Sequence, residues 1–322
     1  MVGRAVGRSP PRRIRSGMLS FIVPARSLRD VTAECLISIN TALHALGLQD
    51  RAEWILLDDA SDSDEGITDL FTSFRASTQA PAHVARFHQR QHYTGVFAYG
   101  LSRARGDNVF FISNDMYVTP AWLRTVLGVA AVDRSFGIIR GTAEIVDSFP
   151  HHEVKPPFVE RKPEDLTEFA EFMARTRGLE HTEDSILSGD AVLIRREVIE
   201  KIGVMDRRFF GYFGDPDYGL RARRAGFRLV CAKGAWLKHY GQGHIKAEVQ
   251  KRREAPSDAD LRRRALVMKA WGEFRAKWDP TLPAEFVNTD QVDWDKLLKV
   301  PAPGGSDFVP PISADAALAR VL

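Results

Sequence analysis

Two pairs of closely spaced carboxylates are the residues of this sequence best suited to chemistry. Asp58 and Asp59 end the apolar segment EWILL, where their oxygens could accept hydrogen bonds from a nucleobase N–H group and from ribose hydroxyls. Asp215 and Asp217 stand at the start of a predicted helix, which presents both carboxylates in its first turn. Each pair has a structural alternative, because Asp58 and Asp59 also suit a polar turn and Asp215 also suits a helix cap.

The helix that carries Asp215 is clearly delimited by its flanking residues. We expect Asp215 to be the N-cap residue, Pro216 the first helical residue and Gly226 the left-handed residue that ends the helix. Phe209 and Phe210 precede this segment, and the apolar run FRLVCA follows it. The sequence therefore predicts an aromatic loop, a short helix and then a strand.

The first carboxylate pair is predicted to lie at the end of a parallel βαβ unit. Residues 19–23 predict a buried strand that ends at Pro24, and residues 53–59 predict a second strand. Four apolar residues at helical spacing, closed by Gly47, predict the helix between them: Leu36, Ile39, Leu43 and Leu46. Such a unit binds its ligand beyond the carboxyl ends of the strands. Five residues fall at those ends: Pro24, Ala25, Arg26, Asp58 and Asp59.

The turn after the first strand argues against a dinucleotide-binding enzyme. Its sequence, PARSLRD, contains no glycine, so the backbone cannot approach a pyrophosphate as closely as the G-x-G-x-x-G turn allows. A nicotinamide-dependent dehydrogenase is therefore the weakest of the functions considered.

Length and composition limit the architecture. With 322 residues, 44% of them hydrophobic, the chain can bury one sizeable core, or one core with an appendage. No apolar run approaches the roughly 18 residues of a membrane-spanning helix, so we expect no transmembrane segment. Cys35 and Cys231 lie within apolar patterns and are expected to be buried, reduced thiols of a cytoplasmic protein.

Charge is distributed unevenly along the chain. The net charge is +3, but residues 1–16 hold five arginines and no acidic residue, which leaves −2 for the remainder. We therefore expect no nucleic-acid binding by the folded body. Residues 246–278 carry ten Lys or Arg against five Asp or Glu. Their amphipathic helix could meet a diphosphate, anionic lipid headgroups or an acidic carrier, although a solvated charged face is the simpler interpretation.

Four segments, in their order along the chain, resemble the inverting family 2 glycosyltransferases with the GT-A fold. Residues 23–26 (VPAR) and 58–61 (DDAS) match the family's first two motifs. Residues 95–115 resemble its glycine-rich helix and the strand that ends in a carboxylate, and residues 188–227 contain its D-x-x-F-F and D-x-D-x-x-x-R patterns. The resemblance spans about residues 19–244. It implies an α/β protein whose central, mostly parallel sheet is flanked by helices, with a C-terminal helical extension.

The resemblance implies a nucleotide-sugar donor site and a divalent cation, Mn²⁺ or Mg²⁺. Asp58 would contact the base, and Asp115 would hold the cation that bridges the diphosphate. Ser113 replaces an acidic or amide residue of the family pattern, and one carboxylate holds such an ion weakly, so a second ligand is expected. His239 is the candidate and His244 the reserve. The implied donor-site residues are Pro24, Ala25, Arg26, Asp58, Asp59, Asn114 and Asp115.

The same resemblance implies roles on the acceptor side. Asp215 would be the general base that deprotonates the acceptor hydroxyl, and Asp217 a supporting acid. The helix dipole is expected to lower the pKa of Asp215. Gly214 stands where the family has a glutamate, and the family asparagine near Ala98 is missing. These departures leave open a non-catalytic protein that binds sugar nucleotides or glycans on a degenerate transferase scaffold. The other implied acceptor-side residues are Gly189, Asp190 and Arg221.

The expected organisation has four parts. They are a disordered basic leader (1–17), a transferase domain (18–245), a basic helical extension (246–300) and a flexible tail (301–322). Within the transferase domain we expect a nucleotide-sugar half (18–118) and an acceptor half (119–245), with an insert (141–184) for acceptor recognition and oligomer contacts. In that insert, His151 and His152 are interpreted as solvated loop residues.

The implied partners are a nucleotide-sugar donor and a glycan, lipid-linked or small-molecule acceptor. Surface polysaccharide or glycoconjugate synthesis is the expected process. The sequence leaves open a homo-oligomer and a peripheral contact with the inner face of the membrane.

Overall fold

One ten-stranded sheet with helices on both faces forms the body of the protein. The structure is a computed structural model and describes residues 15–146, 150–158, 162–241, 256–301, 307–313 and 318–322. The strands are β1 (Arg15–Ala25), β2 (Ala52–Asp58), β3 (Ala82–Phe87), β4 (Gly106–Ile112), β5 (Met116–Tyr117), β6 (Phe136–Ala143), β7 (His181–Glu183), β8 (Ala191–Arg195), β9 (Arg228–His239) and β10 (Ala319–Val321). The described helices are α1 (Arg29–Ala45), α2 (Ile67–Ser77), α3 (His92–Arg103), α4 (Pro120–Val132), α5 (Pro163–Arg177), α6 (Arg196–Ile202), α7 (Gly214–Arg224), α8 (Pro256–Trp278) and α9 (Trp294–Leu297).

The first half of the sheet is parallel, as the βαβ pattern predicts. Strands β3, β2, β1 and β4 lie side by side in that order, and each neighbouring pair is parallel. Ala25 pairs with Asp58 at the carboxyl ends of β1 and β2. Strand register alone therefore brings the VPAR segment (23–26) and the DDAS segment (58–61) to one edge of the sheet.

The second half of the sheet is mixed. Strand β8 is antiparallel to β4 and β6, whereas β9 is parallel to β6 and antiparallel to β5 and β7. Parallel pairing is thus confined to the first four strands and to β6 with β9 among the described residues. The predicted α/β architecture, a central sheet flanked by helices, is confirmed. The expectation that the sheet is mostly parallel is wrong for the described residues, because five of their nine strand pairs are antiparallel. These antiparallel pairs bring the end of β9 beside the turn that follows β4.

Apolar side chains on the two faces of the sheet form two core layers. On one face, Phe21 stacks on Phe110 with ring centroids 4.8 Å apart, beneath α1, α2 and α4. On the other, Phe97 of α3 packs edge-on against Phe111 at 4.0 Å, together with α6. The two cysteines, Cys35 and Cys231, are buried and free, as expected.

The insert packs against the end of β9. Phe169 of α5 lies edge-on to Trp236 with centroids 4.8 Å apart. His152 is buried, so the interpretation of both insert histidines as solvated is wrong for His152; His151 is exposed. The burial of His152 follows from two partners in distant segments, Asp184 and Lys233, which the local sequence does not reveal.

The two ends of the chain differ from the sequence expectation. Residues 15–17, placed in a disordered leader, belong to β1, where Arg15 pairs with Gly106. The expectation of a flexible tail is wrong for the described residues after 301: β10 pairs with β3 in antiparallel fashion, and Val309 bridges to Gly203. The tail covers a sheet edge, because its short apolar segments find partners there.

Helix α8 belongs to the body rather than to a separate extension. Trp271, Phe274 and Trp278 are fully buried within the main core layer, and Phe213 packs against the first two. The C-terminal region thus supports the loop that leads into α7. No helix among the described residues is both long enough and apolar enough to span a membrane.

Candidate active site

Asp58 organises the turn that follows β2. Its carboxylate is fully buried and accepts hydrogen bonds from the Ser61 N–H group (2.7 Å) and hydroxyl (2.9 Å), from the Thr68 hydroxyl, and from Arg86 (2.6 Å). Both oxygens therefore have protein donors. These contacts are those of a residue that stabilises a polar turn, the structural alternative given above for Asp58.

Asp59 caps the helix that follows β3. Its carboxylate accepts from the backbone N–H groups of Gln91 (2.5 Å) and His92 (3.1 Å) at the start of α3. Burial raises the pKa of Asp59, while these N–H groups and two nearby arginines, Arg90 and Arg26, act in the opposite direction. Arg26 also donates to the backbone carbonyls of Asp59 (3.0 Å) and Ala60 (2.7 Å). The predicted donor-site residues Arg26 and Asp59 are therefore neighbours.

Asp115 and His239 come together through the pairing of β5 with β9. Met116 is the register partner of His239, and the Tyr240 N–H group donates to the Asp115 carbonyl at 3.0 Å. As a result, the His239 Nε2 atom lies 3.5 Å from Asp115 Oδ2. Two ligands of one octahedral ion at about 2.1 Å would lie about 3 Å apart, so this oxygen and nitrogen fit a shared divalent cation.

The surroundings of His239 are strongly acidic. Burial alone would lower the pKa of His239, but the hydrogen bond to Asp115 and the charges of Asp190 and Asp115 outweigh it and raise the pKa to about 9. The Asn114 side chain points away, donating to the Ser27 carbonyl (3.1 Å) and the Thr32 hydroxyl (2.8 Å). Asn114 therefore anchors the start of α1. The predicted reserve ligand, His244, lies outside the described residues.

Asp190 joins the two halves of the site. Its backbone carbonyl accepts from the Ser113 N–H group at 2.9 Å, which ties it to the end of β4. Asp190 also lines a small pocket with His239 and Arg140. Arg140, near the end of β6, was not predicted as a site residue, although a charge inside the apolar run FGIIRG is an unusual sequence feature.

Helix α7 begins earlier than the sequence predicts. It starts at Gly214 with Phe213 as its N-cap residue, so the assignment of Asp215 as the N-cap is wrong, and Asp215 lies in the first turn. Phe213 has a φ of 62°, a left-handed conformation that is uncommon for a phenylalanine. A Cβ atom on Gly214 would lie 2.5 Å from Thr94 Oγ1. The packing of α3 therefore leaves no room for a side chain at position 214, where the resemblance implied a glutamate.

Burial gives Asp215 the properties of a base that titrates near neutrality. Burial and the nearby Asp190 raise its pKa to about 7, while its own N–H group, the Gly189 N–H group and Arg140 act in the opposite direction. The expectation that the helix dipole lowers this pKa is therefore wrong, because desolvation of the carboxylate is the larger effect. The carboxylate of Asp190 thus influences both Asp215 and His239.

Asp217 and Arg221 hydrogen-bond to each other and to neighbouring segments, and these contacts tie α7 to the rest of the protein. Asp217 Oδ2 accepts from Arg221 Nε at 2.9 Å, while Oδ1 accepts from Trp278 Nε1 at 3.0 Å and lies 2.6 Å from Lys277 Nζ. Arg221 donates to the backbone carbonyls of Ile202 and Val204, both at 2.9 Å. Both side chains are fully buried. Their contacts position the helix, and the contribution of α8 could not be read from the local motif.

His151, His152 and Asp184 form a second group whose geometry could hold a metal ion. His152 Nε2 lies 2.7 Å from Asp184 Oδ1, and Lys233 Nζ lies 2.8 Å from His152 Nδ1. Burial lowers the pKa of His152. A neutral ring that accepts from Lys233 and donates to Asp184 satisfies both nitrogens, so this group is explained as a buried hydrogen-bonded chain.

Comparison with solved structures identifies the fold. The chain is similar to the mannosyltransferase PcManGT from Pyrobaculum calidifontis, solved with GDP-Man and Mn²⁺, at a TM-score of 0.54 and 13% identity over 91% of this chain and 70% of that one. It is also similar to GalNAc-T7, solved with UDP, GalNAc and Mn²⁺, at a TM-score of 0.51 and 13% identity over 69% of this chain and 43% of that one. The protein thus has the GT-A glycosyltransferase fold.

Comparison of the sequence identifies the family. The model of glycosyl transferase family 2 matches residues 20–203, more than half of the chain, and the protein belongs to this family of transferases. The chain is also 28% identical over 175 residues to the O-antigen biosynthesis protein RfbC of Myxococcus xanthus. That match covers 48% of this chain and 12% of the relative.

Proposed function

We propose that this protein transfers a sugar from a nucleotide-diphospho-sugar to an acceptor hydroxyl with inversion at the anomeric carbon. The observation that carries the proposal is the position of Asp190, which lines one pocket with His239, beside Asp115, and whose charge raises the pKa of the partly buried Asp215. A candidate cation site and a candidate base thus share one neighbourhood. Family membership supplies the reaction class.

On the donor side, Asp115 and His239 would hold Mn²⁺ or Mg²⁺. The cation would stabilise the negative charge of the departing nucleoside diphosphate. The nucleoside would lie at the ends of β1 and β2. There Asp58 and Asp59 shape the turn, and Arg26 fixes the carbonyl groups of that turn.

On the acceptor side, Asp215 would take the proton of the attacking hydroxyl. The hydroxyl oxygen forms a bond to the anomeric carbon as the bond from that carbon to the diphosphate oxygen breaks on the opposite face. The proton passes to the carboxylate of Asp215, whose pKa of about 7 suits a general base near neutral pH. Asp217 and Arg221 would support this step by holding α7 in place, and Gly189 and Asp190 would line the acceptor side.

We further propose that the product belongs to a surface polysaccharide or glycoconjugate. The similarity to a protein named for O-antigen biosynthesis supports this process, although that relative is much longer than this chain. The acceptor would then be a glycan, free or lipid-linked. Two buried free thiols agree with action in the reducing cytoplasm.

A transfer assay with matched variants tests the proposal. The purified protein is incubated with UDP-, GDP-, dTDP- and CMP-sugars, with and without Mn²⁺, and donor consumption is measured. We expect one donor to be consumed in a metal-dependent reaction that Asp215→Asn abolishes while donor binding is retained. Metal-dependent donor binding with no turnover by the wild type would instead support a non-catalytic binding protein.

A further inference from the structure

We propose that Tyr93 is a positioning residue for Asp215 and acts through the backbone of Gly189. The inference rests on the proposed role of Asp215 as the base. Tyr93 lies outside the sequence motifs described above; its contact partner, Gly189, was implied there only as an acceptor-side residue. Three features carry it: a partly buried hydrogen bond of the Tyr93 hydroxyl, a glycine with no room for a side chain, and a helix start that also contacts the donor-side turn.

The Tyr93 hydroxyl is held rigidly and has one direct backbone partner. It donates to the Gly189 carbonyl at 2.7 Å, across 96 positions of sequence. The Tyr93 ring packs against Phe97 and Phe111, with centroid distances of 5.7 and 5.4 Å. A ring fixed by two aromatic neighbours places its hydroxyl at a defined point, and the hydroxyl in turn fixes the peptide between Gly189 and Asp190.

Gly189 is confined between Tyr93 and Asp215. A Cβ atom at this position would lie 1.9 Å from the Tyr93 hydroxyl oxygen and 3.7 Å from Asp215 Cβ. The backbone N–H group of Gly189 is also close enough to the Asp215 carboxylate to act on it, in the direction that lowers its pKa. Movement of Gly189 would therefore move a hydrogen-bond donor of the proposed base, together with the neighbouring Asp190.

The first turn of α3 also contacts the donor side. Asp59 accepts from the N–H groups of Gln91 and His92, the two residues immediately before Tyr93. Thr94, the next residue, limits the space at Gly214. The start of α3 therefore lies between the donor-side turn and the segment that carries Asp215, and Tyr93 is the side chain of this turn that reaches Gly189.

The test is a double-mutant cycle with Tyr93→Phe and Gly189→Ala. Tyr93→Phe removes only the hydroxyl, and we expect kcat to fall about tenfold or more while KM for the donor changes less than twofold. Gly189→Ala introduces the 1.9 Å clash and should lower kcat about a hundredfold and reduce the melting temperature. In the double variant the hydroxyl is gone, and the nearest ring atom at position 93 would be Cζ, 3.2 Å from the new Cβ atom. Relative to Gly189→Ala, we therefore expect kcat to rise at least tenfold and the melting temperature to recover in part.

Tyr99→Phe is the matched control. Tyr99 lies on the same helix, is buried, and places its hydroxyl 3.2 Å from His83 Nε2. This variant should retain wild-type kcat and should not rescue Gly189→Ala.

The outcomes separate the two proposals. An active wild type whose kcat is unchanged by Tyr93→Phe, or a double variant no better than Gly189→Ala, would overturn the positioning role alone. A wild type that consumes no donor would overturn the proposed function, and the role of Tyr93 in catalysis would fall with it.

Discussion

Replacement of Asp215 by asparagine is expected to abolish transfer and at the same time to stabilise the protein. Burial raises the pKa of Asp215 from 3.8 to about 7, a difference of about three pKa units. At about 1.36 kcal/mol per unit, the ionised carboxylate destabilises the folded state by at most about 4 kcal/mol above pH 7, because solvent screens part of the effect at this partly buried side chain. Asparagine keeps the shape and an oxygen that can accept from Gly189, but it carries no charge.

The stability difference between Asp215→Asn and the wild type should depend on pH, and the raised pKa of Asp215 fixes the direction. Because the folded pKa is higher than the unfolded pKa, the stability associated with the neutral carboxyl group is fully present below pH 3.8 and is lost as the pH rises through about 7. The stability gap between Asp215→Asn and the wild type should therefore widen from pH 4 to pH 7 and stay constant above pH 7. In the asparagine variant, one of the two N–H groups near the side chain loses a charged acceptor, which offsets part of the stabilisation. We therefore expect the free energy of unfolding to rise by about 2–4 kcal/mol at pH 8.

Thermal unfolding of both proteins between pH 4 and pH 9 measures this gap. A gain of that size corresponds to a melting temperature about 5 °C or more above the wild type at pH 8. Asp30→Asn is the matched control, because the Asp30 side chain is 99% exposed and its replacement should leave the melting temperature nearly unchanged. An Asp215→Asn protein no more stable than the wild type at pH 8, or a gap independent of pH, would refute the argument from burial.

Three further predictions concern the cation, the start of α7 and the buried support of α7. His239→Ala should weaken Mn²⁺-dependent donor binding about 10- to 100-fold in calorimetry, because it removes one of two proposed ligands, whereas binding without metal should change little. Gly214→Glu should lower the melting temperature and kcat, since even a Cβ atom would lie 2.5 Å from Thr94 Oγ1, and shortening Thr94 to alanine should recover part of the melting temperature. Asp217→Leu should lower stability in urea unfolding by about 3–5 kcal/mol, because it leaves Arg221 as a buried, uncompensated charge.

Each of these predictions has a result that contradicts it. For the cation, unchanged Mn²⁺-dependent affinity in His239→Ala would exclude His239 as a ligand. For the start of α7, a Gly214→Glu protein with wild-type kcat would mean that the helix can shift away from Thr94. For the buried pair, a loss of less than about 1 kcal/mol in Asp217→Leu would show that Arg221 finds other partners.

The features that could be predicted from the sequence depend on local patterns and strand direction. Apolar runs and helical spacing predict the parallel βαβ unit, and its geometry alone brings Pro24 and Asp58 to the same edge of the sheet. The pairing of Asp115 with His239 was expected only from the family resemblance. Its physical cause is the antiparallel register of β5 with β9.

The features that could not be predicted depend on contacts between distant segments. Asp217 looks like a helix-start carboxylate, but Lys277 and Trp278 bury it from 60 or more positions away. Phe213 is the N-cap residue of α7 and adopts a left-handed conformation. A phenylalanine does not favour that conformation, so the sequence did not indicate that the helix starts here. The close approach of Tyr93 to Gly189 likewise links two segments that no local motif relates.

The most direct test of the central claim is the anomeric configuration of the product, read by proton NMR during transfer from the donor that the protein consumes with Mn²⁺. We expect the product to have the configuration opposite to that of the donor, and the Asp215→Asn protein to give no product. A product that retains the donor's configuration, or an Asp215→Asn protein that transfers sugar at the wild-type rate, would contradict the assignment of Asp215 as the base of an inverting transfer.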